Sequence, residues 1–376
     1  MHFTYHLPVN LLFGRGRFTE LGTVTVQYGT RALLVTGKHS TKRSGVLARA
    51  LDYLKQSGVE ATVFDQVPQN PLTTTVYAGA ALAKQEGCKV VIGIGGGSIM
   101  DCAKGIAFQV CNGGDISDYI FGRKQSSLAL PIVLVPTTCG TGSEGNGFAV
   151  LTNPDNGDKK SLRTTAIVAK ASIIDPALMS TMPKQVLASV GFDALCHNME
   201  AYLSKTGQPL TEMMALQGIR LVGKNLPRVY QDKADSNAWD ALSWGSTLGG
   251  MVINTAGITA PHGMEHPVSG LRNVVHGHGL AALTPVIYDR SIFACPEKFS
   301  DISRALGGTD EKDCVKAIRT LLKEISLETT LSRGGVRADD VEWLTKNCAK
   351  VSMAGMQAHP AVFDERQTAQ IYREAL

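Results

Sequence analysis

Two rhythms divide the chain. Up to about residue 180, short runs of β-branched and apolar residues alternate with stretches whose apolar positions recur every three or four residues, and beyond it the second rhythm stands nearly alone. A strand or hairpin over Thr4–Phe13 opens the chain, followed by the strand Ala32–Thr36, a helix from Thr41 to Gln56, the strand Ala61–Phe64, a helix Thr73–Glu86 and the buried strand Lys89–Ile94. Further strands are expected at Pro131–Val135, Ala166–Ala169 and Ser172–Ile174. Strands separated by helices form a parallel sheet wrapped on both faces. After Pro183 the spacing predicts helices over 186–203, 211–226, 237–254, 275–288, 296–305, 311–325 and 338–353, a tail helix from Asp364, and one or two more through a histidine-rich stretch. The expectation is an α/β domain with a Rossmann-like parallel sheet over residues 1–180 and an all-α domain over residues 181–376.

Composition narrows the classes without choosing among them. With 376 residues, 44% hydrophobic and 19% charged, the chain fills two cores comfortably. Its formal charge of +4 is spread among acids, which argues against a nucleic-acid footprint or a membrane patch. No apolar run reaches the ~18 residues of a membrane span, and the first residues lack the pattern of a secretory signal. The eight cysteines form no CxxC, which fits reduced thiols in a cytoplasm.

The chemistry concentrates in Thr259–Ala281, which holds four of the nine histidines: His262, His266, His276 and His278. His262 and His266 are spaced i,i+4, one turn apart on a helix face, and His276 follows across a segment expected to break at Pro267 and Gly270. Upstream, Asp193 and His197 repeat the i,i+4 spacing, so two helices each offer a pair of metal ligands. A glycine turn, Gly93 to Asp101, leaves a strand and opens a helix, offering bare N–H groups to a phosphate. A second turn, Pro136 to Glu144, ends another strand with threonines and glycines, and ligands of open α/β sheets lie at such strand ends. Together the turns predict a nucleotide held between them.

The motifs GGGSIMDCAK, PTTCGTGSE, IIDPALM, GFDALCHNMEAY, HGMEHPVSG and VVHGHGLAAL, in this order, resemble the iron-containing, metal-dependent group III alcohol dehydrogenases over nearly the whole chain. These are related to glycerol dehydrogenase and dehydroquinate synthase. The resemblance implies a dehydroquinate-synthase-like architecture with the site in the interdomain cleft, and Asp193, His197, His262 and His276 as ligands of Fe(II) or Zn(II). It implies a position left open for the oxygen of a small primary alcohol or aldehyde. It puts His266 near the nicotinamide, where a proton relay is the expected role. Gly95, Gly96, Gly97 and Ser98 are expected to wrap the pyrophosphate, Asp101 to face the ribose or nicotinamide, and Thr137, Thr138 and Thr141 to line the adenosine and ribose. Leu178 is expected to pack on the nicotinamide and Lys159 to reach a ribose hydroxyl. Where NAD-preferring members commonly place an acid, this chain has Gly37-Lys38-His39-Ser40, which favours NADP over NAD because a 2′-phosphate gains room and cations. Asn146, Phe148, Val150, Leu151 and Ile253 are expected along the substrate cleft. The family implies a homodimer or larger homo-oligomer, with the opening strand able to pair across a two-fold. The alternatives are a dehydroquinate-synthase-like lyase, for which only Arg272 offers a nearby cation, a glycerol-dehydrogenase-like polyol oxidoreductase, and a non-catalytic nucleotide-binding protein.

Overall fold

In the computed structural model, which describes residues 2–376 and leaves only Met1 of the expected first domain outside, six strands form one parallel sheet in the order β1-β8-β5-β4-β2-β3. The sheet strands are β1 (Asn10–Phe13), β2 (Arg31–Gly37), β3 (Glu60–Val67), β4 (Val90–Gly95), β5 (Ile132–Pro136) and β8 (Ala171–Ile174); β6 (Phe148–Thr152) and β7 (Lys159–Arg163) form a separate antiparallel hairpin. Between them run α1 (Leu21–Thr25), α2 (Ser40–Arg43), α3 (Val46–Gln56), α4 (Thr73–Gln85), α5 (Gly97–Asn112) and α6 (Ile116–Ile120). Strand β2 is buried without a break from Ala32 to Thr36, as a strand covered on both faces must be. Leu33 and Val35 enter an apolar cluster with Val76, Ile106 and Phe108 from α4 and α5, while Ala32 and Leu34 enter another with Val46 and Leu54 from α3.

The rest is helical: α7 (Lys184–Leu203), α8 (Pro209–Gln231), α9 (Ser236–Ala256), α10 (Ala260–Arg272), α11 (His276–Asp289), α12 (Pro296–Ala305), α13 (Cys314–Glu324), α14 (Val341–Ala358) and α15 (Glu365–Glu374). Helix α7 is buried from Leu187 to Leu203 with the exception of Val190, so it is the central rod of the helical half. No helix among the described residues is long and apolar enough to cross a membrane.

Several expected elements differ. The opening strand is confined to Asn10–Phe13 and pairs in parallel with β8 at the edge of the sheet. The helix expected over 41–56 is split, because Gly45 adopts a left-handed φ of 71°. The run Ala166–Ala169 is buried from Ile167 onward but is not a strand; its first part is a 3₁₀ turn, Thr165–Ile167, opened by the Thr164 side chain accepting from the Ala166 N–H. Burial alone gave that run its strand-like look. The hairpin β6–β7 was not foreseen, since one face of KKSLR is polar although it points inward. Pro267 does not break α10, which continues to Arg272. Proline removes the N–H that would bond the Gly263 carbonyl, and the Cys348 thiol donates to that carbonyl instead, at 3.4 Å.

Candidate active site

Three helices bring the titratable groups together. On α7, Asp193, His197 and Glu200 share a face at i, i+4 and i+7; α10 supplies His262, Glu265 and His266; α11 begins at His276. One carboxylate oxygen, Asp193 Oδ1, is the common point: it lies 3.1 Å from His262 Nε2, 3.7 Å from His197 Nε2 and 3.8 Å from His276 Nε2. The rings of His197 and His262 are stacked 4.4 Å apart, and those of His262 and His276 meet edge to face at 5.1 Å. The four groups assigned as ligands from the sequence therefore converge.

Two carboxylates that sequence reasoning passed over stand behind them. Glu200 Oε1 lies 2.5 Å from His262 Nδ1, and Glu200 Oε2 accepts from the Thr259 N–H at 2.6 Å. With Nδ1 turned to Glu200, the other nitrogen of His262 is aimed at Asp193, the arrangement that fixes a metal-ligating imidazole. Glu265 Oε2 stands against His276 Nδ1 in the same sense, at an angle outside hydrogen-bond geometry, and has Lys159 Nζ at 3.8 Å. The signal was present in the spacing, since Glu200 is one turn beyond His197 and Glu265 one turn beyond His262.

Electrostatics make this a cation site. Burial by itself raises the carboxyl pKa values of Asp193, Glu200 and Glu265, yet in each case the neighbouring imidazoles outweigh it and hold the group below its ordinary value. Burial disfavours a charged His262, but Glu200 and Asp193 overcome it and lift the ring to about 10. Burial takes His197 down to about 4 and His266 well below its usual value, Lys159 adding to the second effect. Three buried anions around imidazoles whose Nε2 atoms share one point, with no thiolate, fit Fe(II) or Zn(II).

The cluster opens into a cavity of about 870 Å³. The same cavity is lined by Gly96, Gly97, Ser98, Thr138 and Thr141, where the glycine turn after β4 meets the threonine turn after β5. These strands are in register, Gly95 opposite Pro136, and the Thr137 N–H donates to the Gly95 carbonyl at 2.9 Å. A Cβ on Gly97 would sit 2.2 Å from Thr141 Cγ2, so only glycine lets the first turn of α5 come this close. That leaves a backbone cradle at the N-terminus of a 16-residue helix, which suits a pyrophosphate.

The remaining expected residues divide. Asp101 and Lys159 line the cavity but are anchored: Asp101 accepts from Ser143 Oγ at 2.6 Å and from the Val150 N–H at 2.9 Å, while Lys159 Nζ donates to Asn70 Oδ1 at 3.1 Å. His266 and His278 line it too. Asn146, Phe148, Val150 and Ile253 face it as expected, whereas Leu151 turns into the core behind β6, because alternate residues of a strand point to opposite faces. Gly37, Lys38, Gly95 and Thr137 are not part of the lining, Lys38 being exposed. Leu178 does not reach the cavity: Asp175 caps the turn that carries it, accepting from the Ala177 N–H at 3.1 Å, and directs Leu178 into the cluster of Leu12, Phe18 and Ile173. Arg272 is paired with Asp340 and lies outside the cavity lining, so the lyase alternative loses its one supporting cation.

Comparison with known proteins agrees with this geometry. A family profile described as iron-containing alcohol dehydrogenase matches residues 8–176, and its companion, the C-terminal part of the Fe-containing alcohol dehydrogenase family, matches residues 187–376. The chain is 33% identical to a 1,3-propanediol dehydrogenase of Klebsiella pneumoniae over 99% of this chain and 98% of that one. It is 30% identical to an NAD-dependent methanol dehydrogenase of Bacillus methanolicus over 99% of both. Among solved structures, an archaeal alcohol dehydrogenase from a Red Sea brine pool superposes with a TM-score of 0.96 at 31% identity, covering 100% of this chain and 99% of that one. The structure of a 1,3-propanediol oxidoreductase gives 0.93 at 32% identity and covers 100% of both chains. The chain belongs to the iron-containing alcohol dehydrogenase family.

Proposed function

We propose that the protein is a metal-dependent alcohol dehydrogenase moving a hydride reversibly between NADP(H) or NAD(H) and a small primary alcohol or its aldehyde. The observation that carries this reading is the convergence of His197, His262 and His276 on Asp193 in a cavity that the Gly96–Ser98 turn also lines. Asp193, His197, His262 and His276 would hold Fe(II) or Zn(II), which would supply Lewis acidity toward an alcohol or carbonyl oxygen beside the nicotinamide. Asp193 supplies the negative charge of the ligand set, while Glu200 and Glu265 hold His262 and His276 in register. Phe148, Val150 and Ile253 give the cavity an apolar wall that keeps water from the reacting carbon. His266, neutral by burial, accepts a proton at one ring nitrogen as it gives one up at the other, which suits a relay toward solvent.

Residues 1–180 would serve as the cofactor domain and 181–376 as the metal and substrate domain. Strand β1 lies at an edge of the sheet, which supports pairing in a homodimer or larger homo-oligomer. The free state of all eight cysteines fits a cytoplasmic protein. For the test, protein purified anaerobically and loaded with Fe(II) should oxidise NADPH or NADH with short aldehydes, and lose that activity on chelation. Failure to bind metal together with no turnover across the aldehyde panel would reject the reading.

NADP is the preferred cofactor in this reading, with NAD also accepted. Lys42 is engaged by Asp65, which leaves Lys38 and His39 beside Gly37 for a 2′-phosphate. A Cβ on Gly37 meets Ile99 Cδ1 at 3.4 Å, so an aspartate fits without rebuilding the turn. The expected result for Gly37→Asp is a fall in the NADPH-to-NADH ratio of kcat/KM of at least about tenfold, from repulsion of the phosphate and a new acceptor for the ribose hydroxyl. An unchanged ratio would remove the argument for NADP.

A further inference from the structure

The β6–β7 hairpin aims a row of polar side chains at the cavity. Lys159, Ser161 and Arg163 alternate along β7 and all line it, with Phe148 of β6 directly opposite Arg163. Two of these are full cations, and they are treated differently by the fold. Lys159 is answered by Asn70 at 3.1 Å and by the Glu265 carboxylate at 3.8 Å. Arg163 lies with its guanidinium carbon 4.5 Å from the centre of the Phe148 ring, and among the described residues it meets no carboxylate and no hydrogen-bond acceptor. The side chain is exposed to solvent and lines the cavity, so a ligand that enters can reach it.

A guanidinium has five N–H donors in a fixed fork, and stacking on an aromatic ring leaves those in-plane donors free. An arginine that lines a cavity, rests on an aromatic face and has no partner of its own keeps its donors free for a ligand that enters. Lys159, at the start of this row, lies 3.8 Å from Glu265, the carboxylate against His276, so β7 leads from the metal cluster to Arg163, whereas the pyrophosphate cradle is built from Gly96–Ser98 and the Thr138 and Thr141 turn.

We propose that Arg163 recognises an anionic group at the far end of the substrate, so that the enzyme prefers short alcohols and aldehydes ending in a carboxylate, sulfonate or phosphonate over neutral ones. This rests on the dehydrogenase reading above and narrows its substrate. The reacting oxygen would lie at the Asp193–His276 cluster, and the oxyanion would take the fork of Arg163, with Ser161 able to donate beside it.

The test compares succinic semialdehyde with butanal, in wild type, Arg163→Gln and Arg163→Lys, with the metal-loaded enzyme and saturating cofactor. Wild type should favour the anionic aldehyde, and Arg163→Gln should lower the ratio of the two kcat/KM values by about ten- to hundredfold, the worth of a charged hydrogen-bonded pair. The loss should fall mainly on KM, and Arg163→Lys should restore part of it. No wild-type preference, or an unchanged ratio in Arg163→Gln, overturns the proposal. So does a rise in the KM of the cofactor equal to that of the aldehyde, because Arg163 would then serve the nucleotide. If neither aldehyde turns over, the dehydrogenase reading itself fails, and calorimetry of succinate binding still decides Arg163. At least about tenfold weaker binding in Arg163→Gln supports the anion site, and equal affinity rejects it.

Discussion

Replacing His262 with alanine is expected to lower kcat/KM for aldehyde reduction by roughly a thousandfold, and to leave the purified protein with far less bound iron than wild type. His262 sits between two carboxylates, Nε2 3.1 Å from Asp193 and Nδ1 2.5 Å from Glu200, so its loss would remove one of the proposed ligands and also leave Glu200 facing a void. A metal that polarises the reacting oxygen contributes several kcal/mol to the transition state, and about 4 kcal/mol corresponds to that thousandfold. The decisive comparison is with wild type stripped by chelator. Both proteins should show the same residual rate, and added Fe(II) should revive only wild type. Thermal melting separates this from unfolding, since the variant should melt close to the stripped wild type. A variant that keeps its iron and more than a tenth of its activity would remove His262 from the ligand set.

What could be read from the sequence depended on whether spacing within one element was enough. Asp193 with His197, and His262 with His266, are each a single helix turn apart, so their common faces follow from helix geometry alone. The glycine turn after β4 was legible for a similar reason, because a strand, a run of glycines and a helix are contiguous. Contacts made across elements were not. Glu200 and Glu265 lie one turn beyond His197 and His262, but they act on histidines of other helices, and spacing within one helix does not name that partner. Arg163 was hidden by β7, whose alternation puts Lys159, Ser161 and Arg163 on the cavity side, so that the polar face of the strand lines the cavity. Leu178 went the other way: its motif was recognised, but the turn capped by Asp175 sends it into the core.

Lys104 is the other group that only the fold reveals, and Lys104→Met is expected to cost about 3–5 kcal/mol of stability. The side chain is wholly buried on α5, and its ammonium group meets four acceptors: the Ser143 carbonyl at 2.6 Å, Ser143 Oγ at 2.7 Å, Phe148 O at 2.8 Å and Asn146 Oδ1 at 3.0 Å. Burial lowers its pKa to about 8, so it is still largely protonated at neutral pH, opposite Asp101 and Glu144. Methionine fills nearly the same volume, so any loss reflects the missing charge and hydrogen bonds, not a cavity. Without the ammonium, the Phe148 carbonyl loses its donor, Asn146 Oδ1 keeps only the Phe148 N–H, and Asp101 loses its counter-charge while still holding Ser143 and the Val150 N–H. Because those same residues carry Phe148 and Val150 to the cavity, aldehyde turnover should fall together with the urea midpoint. A midpoint that moves by less than about 1 kcal/mol in stability would mean that the 143–150 segment is held by its strand pairing with β7, and that Lys104 is dispensable.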